Sequence, residues 1–313
     1  MGVTPLAFKR ARPTHPRIAL LDRAFATRLP ADMSILTIPF PDLNPVAFEL
    51  GPLSVKWYGL AYLSGLLLGW IYVKWLLKQD HLWPFGKAPF TLPKADDLLL
   101  YMTIGVLLGG RMGYVLFYEP AHFFAHPMDI PQVWHGGMAF HGALLGSILA
   151  IVLFARHNGV NPWSVLDLCA TATPMGLFFG RLANFINGEL WGRPTSVSWA
   201  MIFPGSDGQP RHPSQLYEAT LEGLVLFLVL LYLTHAKGGL RRPGLIGGTF
   251  MAGYGLARST CEFFREPDPG HWLTIGPFTA GILYSLPMIA VGVGAIIMAL
   301  RKPPQQGAAN AVQ

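Results

Sequence analysis

Arginine, glutamate, histidine and asparagine recur in this chain inside stretches that are otherwise apolar, and their spacing groups them. Tyr254, Arg258 and Glu262 are four apart and so share one face of a helix, while Arg181 and Asn184, three apart, share another. Arg111 and His141 stand in apolar surroundings of the same kind. An ionisable side chain near the middle of a membrane span costs about 2.5–3.5 kcal/mol on insertion scales, so each one requires a partner or a purpose. Arg258 and Glu262 at this spacing suit a structural ion pair as well as a site. Guanidinium is always charged, grips phosphate in a bidentate manner and suits a partly dry site better than ammonium. No lysine occupies these positions, so the set points to phosphate, and the abundant phosphate in a membrane is that of phospholipid. Metal chemistry has little support: His135 and His141 are six apart, and no His and carboxylate spacing fits zinc or magnesium. No GxSxG elbow supports a serine esterase. Neither a metal nor a cofactor is expected.

The elements that must position these residues follow from composition. Only 13% of the 313 residues are charged and 52% are hydrophobic, which excludes a disordered chain and argues against an ordinary soluble domain. Because a helix needs about 20 apolar residues to cross a hydrocarbon core of about 30 Å, the sequence predicts an all-α polytopic membrane protein. Its seven spans run roughly Trp57 to Leu77, Asp97 to Tyr118, Met138 to Arg156, Trp163 to Phe185, Leu216 to His235, Gly244 to Phe264 and Ile275 to Leu300. Gly65 and Gly69, Gly105, Gly109 and Gly113, Gly142 and Gly146, Gly176 and Gly180, and Gly244 and Gly248 are small residues four apart, the spacing that lets helices approach closely in lipid. Cys169 and Cys261 fall inside spans and read as packing residues.

Lys74, Lys78, Lys87, Lys94, Arg156, Lys237, Arg241, Arg242, Arg301 and Lys302 gather in alternate connections, which predicts a cytoplasmic C-terminus and an N-terminus on the periplasmic side. The polar residues then lie mostly in the periplasmic half of the bilayer, and the stretch from Gly188 to Pro213 is long enough for a small cap over them. The net charge of +6 does not indicate a nucleic-acid partner. Residues 1–32 carry six basic and two acidic side chains, against the topology, and the apolar stretch from Ile18 to Phe25 is broken by Asp22 and Arg23, so it is no signal peptide. The expectation is a basic extension over 1–32, with translation normally starting at Met33 or, as the competing reading, a real cationic tail on the periplasmic face, then a membrane domain over 33–300 and a cytoplasmic tail over 301–313.

From Gly180 the sequence reads GRLANFINGELWGRPT, and WYGLAYLSG from Trp57, GGRMGYVLFY from Gly109, GGMAFHGALLG from Gly136, RHPSQLYEATLEG from Arg211 and YGLARSTCEFFREPD from Tyr254 follow the same order along the chain. Together these segments resemble the bacterial prolipoprotein diacylglyceryl transferase family, over roughly Met33 to the end of the seventh span. The resemblance implies transfer of the diacylglyceryl group of phosphatidylglycerol to the lipobox cysteine thiol of a prolipoprotein, forming a thioether and releasing glycerol 1-phosphate. Its partners would be membrane lipid and a prolipoprotein signal peptide lying in the bilayer. It carries functional positions onto Tyr58, His141, Arg181, Asn184, Glu189, Gly192, Tyr254, Arg258 and Glu262; Ala183 departs from the glycine many relatives have, a change between small residues.

Within that reaction His141 is expected as the base for a thiol of pKa near 8.5, with Arg181 and Arg258 stabilising the departing phosphate and Asn184 adding a hydrogen bond. Tyr58 or Tyr254 would orient His141 or the head group, and Arg111 would contribute to substrate binding. Glu189 and Glu262 are expected to hold the arginines, and Gly192 to allow a turn or a close approach of lipid. A lipid-flipping transporter would favour inverted repeats and interrupted helices, which the sequence lacks. A catalytically inactive scaffold is disfavoured by the retained His141, Arg181 and Arg258.

Overall fold

The computed structural model describes residues 38–41, 43–51, 53–266 and 279–304. The basic extension over 1–32, the proposed start at Met33, the first residues of the seventh predicted span and the end of the tail lie outside them. The described chain is mostly helical: α1 (Trp57–Leu77), α2 (Leu92–Phe117), the short α3 (Pro120–Ala125), α4 (Phe140–His157), α5 (Pro162–Ile186), α6 (Ser214–His235), α7 (Leu245–Glu262) and α8 (Ala280–Arg301). Two small sheets were not foreseen. β1 (Ile38–Pro39) pairs in parallel with β4 (Met201–Ile202), and β2 (Val46–Leu50) forms an antiparallel hairpin with β3 (Leu53–Lys56) ahead of α1.

Five of the helices, α1, α2, α4, α6 and α8, are long and apolar enough to cross a membrane, consistent with a polytopic membrane protein. They expose leucines, isoleucines and valines along their lengths, such as Leu66 and Ile71 on α1, Leu107 and Leu108 on α2, and Leu145 and Leu149 on α4. The remaining long helices, α5 and α7, contain Asp167, Arg181 and Asn184 and Arg258 and Glu262. α5 lies against α1, α4, α6 and α7, so its polar residues face protein.

Local chemistry explains where the elements begin. The Asn161 side chain accepts the Trp163 backbone N–H at 3.0 Å, and Pro162 sits at the first helical position of α5, where a missing N–H costs nothing. α2 starts five residues before the predicted Asp97: Lys94 donates to the Asn158 side chain and Asp96 pairs with Lys74 at 3.1 Å, so the helix extends past its apolar run with its charges partnered. Inside α6, residues Ala219–Val225 form a π-helical stretch, a feature that often marks functional sites.

The glycines four apart set the packing. A Cβ added at Gly113 on α2 would lie 2.8 Å from the Gly142 Cα of α4, so these helices touch through their backbones. α1 and α5 approach likewise at Gly65 and Gly176, and α7 and α8 at Gly248 and Gly292. The bundle has two unlike ends. At one, the C-terminal part of α1, the start of α2, the end of α4 and the start of α5 enclose an apolar core including Leu76, Trp83, Leu98, Phe154 and Leu168. Asp167 lies fully buried there and accepts the backbone N–H groups of Gly244 and Gly247, each at 2.7 Å, anchoring the N-terminus of α7. The opposite end carries the charge.

Candidate functional site

The last turns of α5, the first turns of α6 and the last turns of α7 bring together arginines and glutamates in one buried cluster. From α5, the Arg181 Nε lies 2.8 Å from Glu218 Oε2 and its Nη2 lies 3.1 Å from Glu222 Oε2, both glutamates projecting from α6. From α7, Arg258 reaches Glu218 Oε1 with Nη1 at 3.2 Å and Glu262 Oε2 with Nη2 at 2.7 Å. Arg265, just past the end of α7, places Nη1 3.3 Å from Glu218 Oε1. Glu218 thus joins arginines from separate segments, and the groups linked by these pairs balance, three guanidiniums against three carboxylates. Pairing of this kind is what permits charge at 0–1% exposure on Glu218 and Glu222. Arg181 and Arg258 keep 17% and 15% of their side-chain surface accessible. Among the described residues the Arg181 Nη1 and the Arg258 Nε have no acceptor, so each guanidinium is held by carboxylates with donors to spare.

Tyr254, one turn before Arg258, stacks on Phe250 and lies in the electrostatic field of Arg181, Arg258, Glu218 and Glu222. Tyr58, at the start of α1, shares a hydrogen bond of 3.1 Å with the Tyr62 hydroxyl, and the charges of Glu189 and Arg181 act on it. Asn184 donates to Glu189 Oε1 at 2.8 Å, and Asn187 to the same oxygen at 3.4 Å. Glu189 therefore orders the end of α5 through asparagines, and the expectation that it holds an arginine is corrected; Glu262 does hold one.

The segment from 187 to 213 is fastened across this end by its backbone. The Gly192 N–H donates to His212 O at 2.9 Å, the Arg193 N–H donates to Phe264 O at 2.8 Å, and Arg211 Nη1 donates to Gly192 O at 3.0 Å. A Cβ at Gly192 would fall 2.6 Å from the His212 Cβ and 2.7 Å from its carbonyl oxygen, so the glycine is required by neighbouring protein. Leu190 adopts a left-handed φ of 58°, a strained conformation for a side chain with a Cβ, fixed by Ser214 Oγ donating to Leu190 O at 3.0 Å and Gln215 Nε2 to Glu189 O at 2.6 Å. Arg211 also reaches Asp207 at 2.9 Å and Glu266 at 3.0 Å, and its guanidinium holds the Asp207 carboxyl below the usual carboxylate range.

Two predicted site residues stand apart from the cluster. Arg111, 6% exposed, donates to the backbone carbonyls of Asp129 and Ile130 at 2.6 and 2.7 Å and of Gly136 and Gly137 at 2.6 and 3.2 Å. It closes the α2–α4 connection and borders a cavity of about 310 Å³ that Tyr114, Glu119, His122 and His135 also line. His141, exposed at the start of α4, has no hydrogen-bond partner among the described residues and sets its ring 4.8 Å from that of Tyr284. Gly281, one turn before Tyr284 on α8, packs directly on the Glu262 carboxylate. The start of α8 thus lies between His141 and the arginine cluster.

Glu218 and Glu222 were missed by sequence reasoning although a signal existed: two carboxylates four apart within the predicted span from Leu216 to His235, the arrangement that drew attention to Arg258 and Glu262. Arg265 falls one residue past the predicted span that ends at Phe264.

Comparison with known proteins gives the family. The family model described as prolipoprotein diacylglyceryl transferase matches residues 45–298. The chain belongs to the prolipoprotein diacylglyceryl transferase family. It is 50% identical over 268 residues to a phosphatidylglycerol–prolipoprotein diacylglyceryl transferase of Rhizobium meliloti (strain 1021), covering 84% of this chain and 94% of the relative. A protein of the same name from Rhizobium leguminosarum bv. trifolii is 48% identical over 281 residues, 89% of this chain and 100% of the relative, and one from Rhodopseudomonas palustris is 50% identical over 272 residues, 86% and 94%. Every cluster residue, from Arg181 to Arg265, lies inside the span matched by the family model.

Proposed function

We propose that this chain transfers the diacylglyceryl group of phosphatidylglycerol to the lipobox cysteine thiol of a prolipoprotein, the first step of lipoprotein maturation. The observation that carries the reading is the Arg181–Glu218–Arg258 bridge: two guanidiniums from different helices, fixed by one carboxylate and retaining free donors, at one end of an otherwise apolar bundle. Family membership supplies the substrates.

In this reading the chain is a multi-pass protein of the bacterial inner membrane. α5 and α7 cross with the five apolar helices, making seven spans, the N-terminus is periplasmic and the C-terminus cytoplasmic. The 187–213 segment caps a site in the periplasmic half. Phosphatidylglycerol and the signal peptide reach it sideways from the bilayer.

The reaction is substitution at carbon. The thiol sulfur attacks C3 of the glyceryl unit, the C–S bond forms as the C3–O bond breaks, and that electron pair goes to the phosphate oxygen of departing glycerol 1-phosphate. Arg181 and Arg258 receive the developing charge through their spare N–H groups, the electrostatic stabilisation that contributes most when donors are fixed beforehand. The thiol proton passes to His141, whose ring nitrogens have no competing partner among the described residues. Tyr58, Tyr254, Asn184 and Glu189 line the approach to Arg181, Glu262 holds Arg258, and Gly192 seats the cap. Arg111 contributes by fixing the connection that leads into His141.

Incubating the purified protein with phosphatidylglycerol and a lipobox peptide tests the reading. Mass spectrometry should find the peptide heavier by a thioether-linked diacylglyceryl group, with no adduct on a peptide whose cysteine is replaced by serine. Absence of any adduct on the cysteine peptide sinks it.

A further inference from the structure

The balanced cluster poses a problem for an anionic lipid. Among the described residues three guanidiniums already face three carboxylates, so a phosphodiester entering the site adds a negative charge to a balanced buried set, and burying such a charge is costly. Restoring balance requires either release of a carboxylate or uptake of a proton. The three glutamates are not equivalent in this respect. Glu218 engages arginines through both oxygens, at 2.8 Å and 3.2 Å, and Glu262 Oε2 lies 2.7 Å from Arg258. Among the described residues Glu222 is ion-paired with Arg181 alone, through Oε2. Its Oε1 is fully buried, with neither a hydrogen bond nor an ion pair among the described residues. The groups facing it are Arg181 from α5, Glu218 from its own helix, and Tyr254, Arg258 and Cys261 from α7. Glu222 also sits in the π-helical stretch of α6, which Glu218 immediately precedes, so that two carboxylates address one guanidinium.

We propose that Glu222 is the displaceable partner of Arg181: the lipid phosphate takes its place on the guanidinium, and Glu222 accepts a proton from solvent as it is released. The site then holds phosphatidylglycerol at unchanged net charge, and the protonated carboxyl can donate a hydrogen bond through the oxygen that has no partner in the free cluster. Glu218 stays in place and keeps Arg181 and Arg258 at their spacing. This inference deepens the diacylglyceryl-transfer reading and rests on it. Its signature is proton uptake on lipid binding, which a purely structural ion pair does not produce. By linkage, the dissociation constant for phosphatidylglycerol rises with pH, by up to about tenfold per pH unit while Glu222 is ionised in the free protein and protonated in the complex.

The test uses the full chain in phosphatidylcholine nanodiscs, titrated calorimetrically with phosphatidylglycerol in buffers of different ionisation enthalpy and without peptide. The wild type should take up about one proton per lipid and Glu222→Gln close to none. No uptake by the wild type, or undiminished uptake by Glu222→Gln, overturns the proposal. Should Glu222→Gln fail to fold, difference infrared spectroscopy of the wild type decides without a variant. Lipid addition should bring a protonated-carboxyl band that shifts on labelling glutamate with carbon-13, and its absence refutes the assignment. Adduct formation by the same preparation separates the levels. An adduct without proton uptake refutes the role of Glu222 alone, whereas no adduct at any pH refutes diacylglyceryl transfer.

Discussion

Replacing Arg181 separates the structural and chemical roles of the cluster. Glu222 is 0% exposed and its ion-pair partner among the described residues is Arg181, whereas Glu218 retains Arg258 and Arg265. Arg181→Ala therefore strands one buried carboxylate, and losing one member of a buried pair typically costs about 3–5 kcal/mol. It also removes a donor to the departing phosphate, worth about 100–1000-fold in rate. Arg181→Lys keeps the charge but cannot place donors 2.8 Å from Glu218 and 3.1 Å from Glu222 while offering a third to lipid. It should fold nearly as well as the wild type and lose most of the rate. The double variant Arg181→Ala, Glu222→Gln restores the charge count, so it should recover most of the lost stability and none of the lost turnover. Thermal unfolding in detergent at one heating rate, beside adduct formation measured by mass spectrometry, reads both quantities. Equal stability of the Ala and Lys variants, or a double variant no more stable than the single, would refute the charge-balance reasoning. Near-native turnover by Arg181→Lys would refute the phosphate role.

Other consequences follow from the surroundings. Arg111→Ala releases four backbone carbonyls between Asp129 and Gly137, so hydrogen exchange across 129–137 should accelerate while KM for phosphatidylglycerol stays within a factor of about two, since each bond to a charged donor contributes about 1.5–3 kcal/mol to the loop. Gly192→Ala forces its Cβ against His212 and should destabilise by about 1–3 kcal/mol, the usual range for overpacking, visible as a lower unfolding temperature. Asp207, its carboxyl held low by Arg211, contributes stability that is complete above the ordinary carboxylate range and lost as pH falls through its lowered value. Proteolysis of the 187–213 segment should rise as pH drops below about 4, the ordinary aspartate value, and Asp207→Asn should remove that dependence.

Much of this was legible in the chain. The first span was placed at Trp57 and Leu77, where α1 begins and ends, because a long apolar run bounded by charge leaves little freedom. The common face of Tyr254, Arg258 and Glu262 follows from helical periodicity and holds in α7. Depth, however, does not give direction around a helix axis. Arg111 lies at a depth suited to the site yet turns toward the α2–α4 connection, which no spacing rule predicts. Glu218 and Glu222 escaped because LVLFLVLLYLT follows them, and a strongly apolar run hides two carboxylates at its edge. Asp167 escaped for a different reason: its partners are backbone N–H groups nearly eighty residues away, an interaction only tertiary structure reveals. The β1–β4 pair likewise joins short segments far apart in sequence.

The central claim is that the phosphate of phosphatidylglycerol rests on Arg181 and Arg258. Solid-state magnetic resonance on protein with nitrogen-15 arginine, bound to phosphatidylglycerol in phosphatidylcholine discs, measures that contact directly through phosphorus-to-guanidinium dephasing. The claim predicts dephasing in the wild type that falls in Arg181→Lys and in Arg258→Lys and persists in Arg111→Ala. Dephasing unchanged in the first two variants and lost in the third would contradict it, placing the phosphate in the cavity beside Arg111 instead.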